Sequence, residues 1–455
     1  MTSENNLLGT LPEKQLLKQF AIPSIIAMLV SSLYNIVDQF FIGNTVGELG
    51  NAATNIAFPL NTSCIAVALL FGIGGASTFN LAMGRGDTKK AGSYIGNACI
   101  WMVLLGILIS VLSLSFMRPL LFFFGSPETV FPYAIEYTSI TAVGFPFLIL
   151  STGGGHLVRA DGSPKMTMVI NITGAIVNTV LDALFVFVFN WGMKGAAWAT
   201  VIGQVIAASI VIWYLMHYKT VKLSKECFRP QKDAALLVAS LGAAPCFNQL
   251  AMMLVQIVMN KTLKYYGAQS IYGESIPIAC SGIIAKVSML VMAFIIGISQ
   301  GLQPIVSFNY GAKQYQRVKK AFVLALVSGA VICVISFVAF QSFPRQIISV
   351  FGEGSDLYFQ FAEDFFRKFL FFIGLCFMQP ISANFFTAIG KPKKGIFMSL
   401  TRQIIFLLPL LIILPLFMGI DGVMYAGPVA DLVATVVCTI LVIHELQHPE
   451  FSRKE

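Results

Sequence analysis

Long apolar stretches alternate with short polar ones along nearly the whole chain. A spanning helix needs about 20 mostly apolar residues, and twelve runs meet that length. Their expected spans are 17–42, 53–83, 95–117, 133–158, 166–190, 195–217, 235–260, 276–309, 321–342, 359–388, 395–418 and 422–444. The second and eighth are long enough to extend past the bilayer. The pattern predicts an all-α membrane protein of twelve transmembrane helices. The polar stretch from Met1 to about Leu16 has no apolar core followed by a small-residue cleavage site, so the first helix is expected to stay in the mature protein.

The pattern also repeats. Gly86-Asp-Thr-Lys-Lys-Ala91 after the second run matches Arg317-Val-Lys-Lys-Ala321 after the eighth. Phe124-Gly125 matches Phe351-Gly352, Asp161-Gly-Ser-Pro-Lys165 matches Ile389-Gly-Lys-Pro-Lys393, and Gly192-x-x-Gly195 matches Gly419-x-x-Gly422. The offsets are 230, 227, 228 and 227 residues. A near-constant offset marks two homologous six-helix lobes. The N-lobe is expected at 1–217, a basic linker at 218–234 and the C-lobe at 235–455. Six is even, so the lobes share one orientation and are related by an axis along the membrane normal. Parallel repeats around a central cleft suit transport by alternating access. Pro23, Pro59, Pro146, Pro245, Pro304, Pro380, Pro409 and Pro428 fall inside the spans, where each frees a backbone carbonyl and bends its helix.

Composition agrees. Of 455 residues 56% are apolar and 11% charged, against roughly 25% charged in soluble domains, so most of the surface must face lipid. The net charge of +9 is not a nucleic-acid footprint, because Lys and Arg cluster in the loops between runs. One set of loops carries 17 of them and the opposite set 5. By the positive-inside rule both termini are expected in the cytoplasm, with the protein multi-pass in the inner membrane. The eight cysteines are scattered without metal-binding spacing and read as small apolar residues.

Ionisable residues inside a span cost several kcal/mol, about 3 on insertion scales, and persist mainly where they face protein or a water cavity. The N-lobe has Asp38 in its first run and Asp182 in its fifth. Counted from the outer ends of their runs, the two lie within roughly 6 Å of each other in height. Asn178, one turn before Asp182, shares its helix face, and Tyr137 and Thr200 enter the same layer from the fourth and sixth runs. Two carboxylates close together in low dielectric resist joint ionisation, which makes a proton carrier. With neutral oxygens added, the same layer suits Na⁺ at Asp38, Asn178 and Asp182. In the C-lobe, Arg402 and Asp431 fall on adjacent helices at depths that allow pairing, and Lys286 has no partner near it in sequence. Gln256 and Gln300 complete a candidate polar cavity there. Glycine clusters at Gly72-x-Gly74-Gly75 and Gly153-Gly-Gly155 read as close helix packing. No nucleotide-binding loop, nucleophile elbow or metal-binding pair is present, so energy is expected from an ion gradient without a cofactor.

Several motifs together carry a family resemblance. They are Ala21-Ile-Pro23, Asp38-x-x-Phe41-Ile42-Gly43, Arg159-Ala-Asp-Gly-Ser-Pro-Lys165, Asn178-x-x-x-Asp182 and Gly195-Ala-Ala-Trp-Ala-Thr200. From about Leu11 to Leu446 the chain resembles the MATE transporters, in the branch of bacterial multidrug exporters with an N-lobe cation site. The resemblance implies two lobes around a central cleft, H⁺ or Na⁺ antiport of cationic or amphipathic drug-like compounds, and a monomer in the bilayer. It also places the cation site at Asp38, Tyr137, Asn178, Asp182 and Thr200. Another MATE branch uses an acid of the seventh helix, and here no Asp or Glu lies between Asp233 and Lys261. Two alternatives stand beside this reading. One is a lipid-linked oligosaccharide flippase of the same superfamily. The other is an integral membrane enzyme, for which no catalytic cluster is visible.

Overall fold

The computed structural model describes residues 7–273, 275–350 and 355–452, and among these it contains helices and turns but no strand. Phe351 and Gly352, used above for the repeat, lie outside the described residues, as do Arg453 and Lys454 of the C-terminus, which add to the basic side of the charge pattern.

Twelve helices are long and apolar enough to cross a membrane. They are α1 Glu13–Asp38, α2 Leu49–Gly84, α3 Thr88–Ser115, α4 Phe131–Ala160, α5 Pro164–Val188, α6 Gly192–Met216, α7 Lys232–Ala268, α8 Ile276–Gly311, α9 Tyr315–Ser342, α10 Asp356–Ala388, α11 Pro392–Met418 and α12 Ile420–Leu446. Every expected run is one of them. At 1.5 Å per residue, α2 and α8 with 36 residues and α7 with 37 exceed a hydrocarbon core of about 30 Å. The length of α7 was not expected from its apolar run, because its ends are polar.

The expected run 359–388 is not one continuous helix. It breaks between Phe369 and Met378, with a single 3-10 turn at Ile373–Leu375. Pro380 follows at once and cannot donate to the carbonyl of Cys376, so the preceding turn loosens. In α11, Pro409 follows a wider π-turn at Thr401–Leu407. A second π-turn, Ala183–Val188, begins directly after Asp182 in α5.

The repeated motifs have a conformational cause. Gly162 and Gly390 hold φ of 79° and 77° in the turns before α5 and α11, and Gly192 and Gly419 hold 54° and 59° before α6 and α12. These left-handed turns favour glycine, so the same residue recurs at the same place in each half.

Helices α1–α6 pack on one another, with α2–α4 and α4–α6 the most extensive contacts, followed by α2–α3, α3–α4, α1–α5 and α5–α6, and α7–α12 form the second lobe. The lobes meet where α2 crosses α7 and α8, and where α1 crosses α8. Glycine permits each crossing. A Cβ at Gly242 would lie 1.7 Å from Leu70 O, and one at Gly74 2.0 Å from Val238 O. Near the basic loops the crossing is symmetric, with Gly84 on Phe308 O and Gly311 on Leu81 O.

The segment joining the lobes is tied to the N-lobe. Asp161 accepts from Tyr214 Oη at 2.8 Å, Lys219 N at 2.8 Å and Thr220 N at 3.0 Å. Burial pushes its carboxyl above the usual range, against the pull of these donors. Further along, Asn97 of α3 accepts from Gln231 N at 2.8 Å and donates to Arg229 O at 3.2 Å.

Candidate functional site

Where α8 crosses α1, Gly297 and Gly301 leave no room for a side chain against Ile25 and Ala21. On the neighbouring part of that face Gln303 donates to Ser77 Oγ of α2 at 2.8 Å, and Gln300 points its amide at Met28 Sδ of α1, 3.8 Å away. This is the face of α8 that meets the N-lobe. Away from the basic loops the same helical stripe runs through Ala293, Met289, Lys286 and Gly282. There Met289 is 41% exposed, and a Cβ at Gly282 would meet nothing within 4 Å. The lobes are therefore closed against each other at the basic end and separate beyond it, which forms the central cleft.

Within the N-lobe the structure brings together the five residues singled out above. Asp38 of α1 neighbours Asp182 of α5. Asn178, one turn earlier on α5, donates to Thr200 Oγ1 of α6 at 3.2 Å, and that hydroxyl returns to Ala196 O at 2.9 Å. Tyr137 of α4 borders both carboxyls and Thr200. Tyr34 borders the same groups and was missed. It stands four residues before Asp38, so it shares a helix face with it, and that spacing was the available signal.

The cluster is rich in acceptors and poor in donors. Asp38 Oδ1, Asn178 Oδ1 and both carboxylate oxygens of Asp182 are buried with no hydrogen-bond partner among the described residues. Leaving one such group unsatisfied costs about 1–3 kcal/mol, and more when it is charged. A cation would satisfy the four together: a proton shared between the carboxyls, or a hard metal ion held by oxygen. No group of three His, Cys, Asp or Glu side chains occurs among the described residues, so amide and hydroxyl oxygens would have to supply part of any metal shell.

The C-lobe residues do not gather in the same way. Arg402 of α11 pairs with Asp431 of α12, which is 5% exposed. Gln256 donates to Asn260 Oδ1 on its own helix at 3.1 Å. Gln300 sits at the crossing with α1. Among the described residues no hydrogen bond or ion pair joins Lys286, on the cleft stripe of α8, to any of them.

Twelve spanning helices in two lobes, closed against each other at one end and with a buried ionisable cluster inside one lobe, define a membrane transporter. The MatE family model matches residues 23–184 and 245–413, once in each lobe, and the chain belongs to the MatE family; it is a transporter and not an enzyme. It is similar to the FAD transporter of Shewanella oneidensis, with 24% identity over 97% of this chain and 96% of the relative. It is also similar to the multidrug export protein MepA of Staphylococcus aureus, with 22% identity over 95% and 94%. Its fold matches a solved multidrug resistance MATE transporter of the MOP superfamily in an outward-facing conformation, with TM-score 0.91, 20% identity and 100% of both chains covered.

Proposed function

We propose that the protein is a secondary active exporter that moves amphipathic compounds, cationic ones included, out of the cell by H⁺ or Na⁺ antiport. The observation that carries this reading is the set of four buried, donor-less oxygens at Asp38, Asn178 and Asp182. A cation satisfies them, and its arrival and departure change how α1 and α5 pack. Tyr34, Tyr137 and Thr200 line the same site. The relatives named for FAD and for multidrug export support a broad cargo class.

On this reading the lobes are 1–217 and 235–455, joined by 218–234, in a monomer whose termini face the cytoplasm across the inner membrane. The loop charge count supports that orientation. The cleft then opens to the outside, and the glycine crossings form the inner seal.

Dye efflux from membrane vesicles under an imposed H⁺ or Na⁺ gradient, applied separately, identifies the ion. Asp182→Asn is expected to insert normally and to lose ion-driven efflux by at least about tenfold, within the usual range of a site–site coupling. Wild-type efflux in a well-expressed mutant removes Asp182 from the mechanism.

A further inference from the structure

The charges on the two sides of the cleft are opposite in sign. On the N-lobe side lie Asp38 and Asp182. On the C-lobe side lies Lys286, and it is unpaired: no carboxylate comes within 4.0 Å of it among the described residues. Three other cations of that lobe are neutralised, Arg402 by Asp431, and Lys391 and Lys394 by Glu445.

Its height follows from the α1–α8 crossing. Gly301 of α8 lies against Ala21 of α1, and the two helices run in opposite directions. Away from the basic end, Lys286 is 15 residues from that crossing along α8 and Asp38 is 17 residues along α1. At 1.5 Å per residue these are about 22 and 26 Å. The ammonium and the acid cluster thus stand nearly level across the cleft.

The surroundings of Lys286 leave space for a ligand. One turn away on the same stripe, the Cβ position of Gly282 is open. On the other side Met289 is 41% exposed and offers an adaptable apolar surface. An unpaired charge inside a span is costly and tends to be functional. The tight contacts of α8 with the N-lobe are made further along the helix, by Gly297, Gly301 and Gln303.

We propose that Lys286 is an anion-recognising residue of the cleft, and that compounds carrying a carboxylate or phosphate on an apolar body bind there. The anionic group faces the Lys286 ammonium, where partial exclusion of water strengthens the attraction. The apolar body lies along Met289. This assignment rests on the exporter reading and narrows its substrates.

The test uses two matched pairs of fluorescent probes and the full-length protein in lipid nanodiscs. A rhodamine with a free carboxylate and its methyl ester test the carboxylate. Flavin mononucleotide and riboflavin test the phosphate. Wild type is expected to bind the anionic member of at least one pair about tenfold more tightly than its neutral-tailed partner, the size of one good charge interaction. Lys286→Gln removes that preference and leaves the partner's affinity unchanged, and Lys286→Arg keeps it. If wild type shows no preference in either pair, or Lys286→Gln retains it, the anion site is overturned. The exporter reading is tested separately by gradient-driven efflux of the rhodamine ester. Ion-coupled ester efflux without a Lys286-dependent preference sinks only the anion site. A Lys286-dependent preference without coupled efflux sinks only the exporter reading.

Discussion

Asp38 is the residue on which coupling is expected to turn. If the ion and the exported compound oppose each other, each must lower the other's affinity by the same factor. Asp38→Asn removes one negative charge from the cluster with little change of volume, and so imitates the ion-loaded state. The purified mutant is expected to bind dye several-fold more weakly than wild type, within the usual 5–150-fold range of such couplings, and its binding should lose most of its dependence on pH or Na⁺. Titration calorimetry or dye anisotropy at two ion concentrations reads both effects. Binding as tight and as ion-sensitive as wild type would show that the ion acts elsewhere. Much of this site was legible in the sequence because a charge in an apolar run is expensive, and the i, i+4 spacing of Asn178 and Asp182 fixes a shared face. Tyr34 was not, because an aromatic residue inside a membrane helix carries no such penalty and does not stand out.

At the scale of elements, the crossings between lobes depend on glycine. The reading of Gly72-x-Gly74-Gly75 and Gly153-Gly-Gly155 as packing surfaces holds: Gly72 meets Gly153, and Gly74 meets α7. Gly242 supplies the other half of that last crossing and drew no notice in the sequence, since a single glycine in a long helix has many uses. Gly242→Leu places a side chain where the Cβ alone would be 1.7 Å from Leu70 O. Overpacking of this kind costs about 1–3 kcal/mol, occasionally more, and the cost falls only on the state in which α2 and α7 touch. The mutant is therefore expected to favour a form open at the basic end, read as increased thiol labelling of a cysteine placed at Ser77. Unchanged labelling would show that the crossing absorbs the side chain without parting. The π-turns after Asp182 and around Arg402 were invisible to apolar periodicity, which fixes the length of a span and not its local winding.

For the whole molecule, the number of spans, the two lobes and the repeat were legible because a bilayer leaves few alternatives to full-length helices and the turn glycines recur with the repeat. Orientation is the remaining large-scale expectation. In a cysteine-free background, Lys222→Cys is expected to react only with a membrane-permeant maleimide in intact cells, and Lys194→Cys also with an impermeant one; the reverse pattern inverts the topology. The two halves share an ancestry but not a workload. At the repeat offset of 228, Arg402 of the C-lobe stands where the N-lobe has Gly174, a position with only Ala207 Cβ and Gly203 O nearby. Breaking a buried ion pair by removing one partner costs about 3–5 kcal/mol, whereas sliding past a glycine costs little. One lobe is thus bolted across α11 and α12, and its counterpart carries the buried acid cluster of Asp38 and Asp182. On the exporter reading proposed above, such a machine has a stator and a rotor, and one cycle would be geared to a cation taken up by a single half.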